Sequence, residues 1–81
     1  MKNSTEYKLN DFYQAVILKV VGFPLLRLER GSSRFFIFVF DDPDNKAQEI
    51  IDKYWNREIK VIARDLIECI SELKTRIHSG V

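Results

Sequence analysis

LLRLERGSSRFFIFVF, residues 25–40, is the stretch on which the fold turns. Leu25 to Arg30 and Arg34 to Phe40 are both rich in strand formers, and Gly31-Ser32-Ser33 is the only turn chemistry between them, which predicts a β-hairpin. Pairing Arg30 with Arg34 across that short loop sets Leu28 opposite Phe36 and Leu26 opposite Phe38, and gathers these four with Phe40 on one side. A slip of one residue would put Arg27 and Glu29 among the Phe rings, because all side chains of a strand change face together. The other side then carries Leu25, Phe35, Ile37 and Val39, with only Arg27 and Glu29 polar. Neither face of such a ribbon is fully solvated, so both need cover.

Upstream of the hairpin the cover begins. Asp11 is placed to cap a helix of about 11 residues with Gln14 at its third position, Gly22 suits a left-handed C-terminal residue, and Pro24 stops continuation. Phe23 is expected to fold back on Leu18. Between the caps stand Phe12, Tyr13, Ala15, Val16, Ile17, Leu18, Val20 and Val21, broken only by Gln14 and Lys19. A surface helix needs one apolar stripe, so a helix apolar nearly all round is central to its domain or shared with a partner. Ahead of it, Tyr7-Lys8-Leu9 suggests a short strand.

Downstream, Asp42-Pro43-Asp44 reads as a helix start, with Asp42 as N-cap, proline at the first helical position and an acid at the positive end of the dipole. Ala47, Ile50, Ile51, Tyr54 and Trp55 recur at helical spacing and carry this helix to about Asn56. Glu58 to Val61 alternates, as a third strand of the hairpin or as the lead-in to a last helix over residues 62–78. That helix lines up Ile62, Leu66, Ile70, Leu73 and Ile77, with Cys69 beside them and Glu72 and Arg76 paired outside. The whole is an α+β domain of order helix, hairpin, helix, optional short strand, helix, spanning residues 9–79, with 1–8 a tail or short strand and 80–81 an end. Its expected core is Phe36, Phe38, Leu28, Ile51, Trp55, Leu66, Ile70 and Leu73.

Composition sets the bounds. A chain of 81 residues is near the size at which folding buries only about 60 to 65% of the surface exposed by the unfolded chain. Against this scarcity stand 46% hydrophobic residues, with six Phe, three Tyr and one Trp. A net charge of +1 offers no large single-sign field to steer the protein onto polyanions or an anionic membrane. One cysteine, Cys69, excludes an internal disulfide framework, and the opening Met1-Lys2-Asn3-Ser4 lacks an apolar signal region, so a cytoplasmic location is expected. The longest apolar stretch, Ala15 to Leu26, is interrupted by Lys19, Gly22 and Pro24, so no bilayer span is expected.

The run Leu9-Asn10-Asp11-Phe12-Tyr13, then Ala15, Leu18 and Gly22, a Phe-rich strand, Tyr54-Trp55-Asn56 and a closing helix resembles a family of short prokaryotic proteins carrying a domain of unknown function. The resemblance covers nearly the whole chain. It implies a fold and a prokaryotic or mobile-element origin, and it transfers no activity or binding residue.

The residues bear on three classes of chemistry. Cys69 and His78 are the only members of their kinds. On one helix nine residues turn through about 900° and rise roughly 13 Å, so the two cannot form a nucleophilic pair. A zinc site within the chain lacks ligands for the same reason of number. Pro43-Asp44 followed by Glu58-Ile59-Lys60 resembles the Pro-Asp and Glu-x-Lys signature of metal-dependent nucleases, in which two acids hold Mg²⁺ and the lysine activates water. That signature sits on adjacent strands, whereas here a helix of about four turns intervenes. The sequence therefore leads to the expectation of no catalysis, no metal and no cofactor.

Binding remains. The alternating aromatics of Arg34 to Phe40, with Arg27, Arg30 and Arg34 to meet phosphates, suit a nucleic-acid surface in which bases stack on an open sheet. The glycine and the small residue of RNA-binding sheets are replaced by Phe35 and Ile37. The favoured class is self-association or binding of another protein, because the first helix and the ribbon present more apolar surface than two further helices readily cover. A two-fold homodimer through Phe12, Val16, Val20, Leu25, Phe35, Ile37 and Val39 would cover it. The competing arrangement is a monomer with one helix on each face of the hairpin.

Overall fold

The computed structural model describes residues 5–30 and 36–79. A first strand β1 (Glu6–Leu9) leads through Asn10 and Asp11 into helix α1 (Phe12–Val21). The Asp11 carboxylate accepts the Gln14 N–H at 2.9 Å, as the capping pattern requires. Gly22 ends the helix at φ 123°, a conformation that a side chain would strain. Its N–H and that of Phe23 donate to the carbonyls of Lys19 and Leu18 at 3.1 and 3.0 Å, which closes the helix as a Schellman turn.

Strands β2 (Leu25–Arg30) and β3 (Phe36–Asp41) follow, and the sheet is antiparallel in the order β1-β3-β2. The sheet therefore has three strands, the third being the N-terminal segment and not Glu58 to Val61, which is the lead-in to the last helix. The expected register is corrected. Arg30 lies opposite Phe36 and Leu28 opposite Phe38, two residues along from the pairing with Arg34, and residues 31–35 with the proposed turn fall outside the described residues. A shift of two keeps every side chain on its face, so the burial pattern cannot detect it. The observed pairing avoids setting two arginines opposite one another and instead seats the Arg30 guanidinium 5.3 Å from the Phe36 ring centroid.

A second correction lies at the start of β2. A bulge between Leu25 and Arg27 makes Leu26 the extra residue and sets Leu25, not Leu26, opposite Phe40. Leu25 joins the core, while Leu26 stands outside at 44% exposure.

Helix α2 (Ala47–Trp55) starts four residues later than Asp42-Pro43-Asp44 suggests. Pro43 and Asp44 form the centre of a turn in which the Asn45 N–H donates to the Asp42 carbonyl at 3.1 Å, and Asn45 adopts φ 55°, which breaks any helix there. Asp42 still caps, from a distance. Its buried carboxylate accepts the N–H groups of Lys46 at 2.7 Å and Ala47 at 3.2 Å, while its own N–H donates to Thr5 beside β1 at 2.8 Å. One side chain thus joins the end of β3 to the start of α2. After α2, Arg57 at φ 64° and the bonds from Arg57 and Glu58 back to Tyr54 and Lys53 form a second Schellman turn. Helix α3 (Ala63–His78) completes the fold. Glu72 reaches across to Lys19 of α1 at 3.4 Å instead of pairing with Arg76, and the i,i+4 pair on α3 is Arg64 with Glu68.

All three helices serve one side of the sheet. α1 packs against α2 and α3, and its Ala15, Val16 and Leu18 form one cluster with Phe38, Phe40, Ala47, Ile51 and Leu73. Leu28, Leu66 and Ile70 pack on this cluster, Phe36 is half-buried, and Trp55, expected inside, is exposed. The core sits around α1, which the expected list omitted, and a helix on each face of the hairpin is not what forms. Removing the Phe38 ring should cost about 3–5 kcal/mol, since Phe38→Ala opens a cavity at the centre of this cluster. Asp42→Ala should cost about 1–3 kcal/mol by stranding two N–H groups at a buried helix start. Urea denaturation of both variants, followed by far-UV circular dichroism, measures these losses.

Candidate functional site

The face of the sheet away from the helices shows what the hairpin arginines do. Val39 faces outward with Lys8 opposite on β1 and Arg27 opposite on β2. Arg27 reaches diagonally to Glu6 with two hydrogen bonds of 3.0 and 2.9 Å, and along its own strand to Glu29 at 2.9 Å. Lys8 runs along the other diagonal to Glu29 at 3.6 Å. The two diagonals pass over Val39, whose side chain is fully buried although no helix covers it. Aliphatic stems of long charged residues bury apolar surface while their heads stay wet, and they do so here. Each such pair contributes little by itself, about 0–1 kcal/mol; together they link the two edge strands across the central one.

This arrangement bears on each residue singled out in the sequence. Arg27 is bonded to two carboxylates, Arg30 lies over Phe36, and Arg34 falls outside the described residues. Phe38 and Phe40 lie in the helix-facing core, and the open face has Ile37 and Val39 where stacking rings would be needed. Of the self-association set, Val16 and Val39 are buried within the protomer and correct that expectation, because neither reaches the surface. Phe12 and Leu25 pack on the core, Val20 and Ile37 are half-buried, and Phe35 lies outside the described residues.

The catalytic candidates are separated by the fold. Asp44 occupies the turn before α2, while Glu58 and Lys60 lie in the connector after it, all exposed and none on the sheet. Among the described residues no group of three His, Cys, Asp or Glu is placed to hold a metal ion. Cys69 lines a groove of about 550 Å³ between α1 and α3 with Lys19, Asp65 and Glu72. Burial, ahead of the neighbouring charges, raises its thiol pKa and so keeps it from the reactive thiolate form. His78 stands exposed on the last turn of the same unbroken helix. Tyr7 donates to Gln48 on α2 at 2.8 Å, and its hydroxyl is raised chiefly by burial.

What sequence reasoning missed is the corner between α2 and α3. Trp55, Ile62 and Ile67 are 66%, 68% and 62% exposed. Trp55 closes α2 one turn beyond Ile51, the last buried residue of that helix, and its ring rests edge-on against Tyr54 with centroids 5.3 Å apart. Ile62 stands at the N-cap of α3, which no side chain caps. Arg57 and Lys60 flank the connector without an ion pair among the described residues, whereas Lys53 and Arg64 are paired with Glu49 and Glu68. The only signal in the sequence was the position of Trp55 at the end of its helix, and its helical spacing concealed it.

The chain belongs to the family described as Domain of unknown function (DUF5659), which matches residues 4–79. No curated protein and no solved structure matches it. Among the described residues no helix is long and apolar enough to cross a membrane.

The open sheet face makes a pH prediction. The Arg27 hydrogen bonds hold the Glu6 carboxyl below its ordinary range, with burial opposing them. A carboxylate whose pKa is lowered on folding contributes stability above its unfolded pKa, and that stability is lost as pH falls through the folded value. An NMR titration of Glu6 should therefore show a depressed midpoint in the wild type and a return towards the ordinary carboxylate value in Arg27→Ala.

Proposed function

We propose that this member of the family is a non-catalytic protein-interaction module, acting in the cytoplasm of a prokaryotic or phage setting, that docks through the corner between α2 and α3. The observation that carries the reading is Trp55, the single tryptophan of the chain, left two-thirds exposed. Tryptophan is enriched at the centres of protein interfaces because one rigid ring covers a large apolar area at low entropic cost. Burying it in contact with a second surface, together with Ile62 and Ile67, contributes about 25 cal/mol for every Å² removed from water. Among the described residues nothing performs that burial. The setting rests on the lone cysteine and on the resemblance carried by residues 9–22 and 54–56.

The partner is a second copy of the chain or another protein, and one pair of measurements separates these. If two copies associate, light scattering should show the mass double with rising concentration while Trp55 fluorescence shifts to the blue, and Trp55→Ala should stay monomeric. If the partner differs, affinity capture from the source organism should recover a protein with the wild type that Trp55→Ala loses at unchanged far-UV circular dichroism. A monomer at every concentration, with no protein distinguishing wild type from variant, refutes the proposal. Recovery of nucleic acid in place of protein favours the nucleic-acid reading.

A further inference from the structure

We draw no further inference here: the strongest candidate, the groove of about 550 Å³ between α1 and α3 lined by Lys19, Asp65, Glu68, Cys69 and Glu72, rests on a lone cysteine beside acids of which Glu72 pairs with Lys19 and Glu68 with Arg64, and nothing in the structure points to a ligand there.

Discussion

α1 has almost no side that can be left in water, and the rest of the molecule is arranged around that constraint. Ala15, Val16, Ile17 and Leu18 are buried in succession, so apolar residues point from the helix in every direction. In a chain of 81 residues, surrounding one helix uses the helix-facing side of the sheet, the inner stripe of α2 and that of α3. The caps at Asp11 and Gly22 set its length to match, ending it where the chain must turn back into β2. Lys19, one of its few polar residues, escapes the enclosure by lying along α3 towards Glu72.

Having spent all its helices on one side, the protein covers the other side of the sheet with the sheet's own charged residues. Arg27, Glu6, Lys8 and Glu29 lie across Val39, which is as buried as any residue beneath the helices. The same residues occupy both edge strands, where charge discourages pairing with another chain. The bulge at Leu26 has a related effect, turning Leu25 inward and breaking the β2 edge. Asp42 then ties this sheet to the helical layer, since its backbone continues the β1–β3 pairing while its carboxylate starts α2.

Enclosure of α1 also explains what is left outside. α2 meets α1 through Ala47 and Ile51 and ends at Trp55, and α3 reaches full burial only at Leu73, far from its start. The corner between them is therefore the place where apolar side chains outrun the core. It coincides with a helix start that no side chain caps, and the interaction proposal comes from the tryptophan left exposed there. The hairpin arginines, by contrast, are absorbed by the sheet.

Local chemistry made much of this legible in the sequence. Both ends of α1, the two hairpin strands, the strand at Tyr7-Lys8-Leu9 and the span of α3 follow from capping residues, glycine and side-chain periodicity, all set by near neighbours in the chain. The α2 start was half legible: Asp42 is the cap, but it acts across a turn because Asn45 accepts a left-handed backbone. The tertiary structure decided the rest. A register shift of two leaves every side chain on its face, so only packing could choose Phe36 over Arg34 as the partner of Arg30. Periodicity reports which side of a helix is apolar and not how far its neighbour extends, so it could not foresee that Trp55 would stand clear of the core or that Val39 would be sealed by salt-bridged side chains from both edge strands.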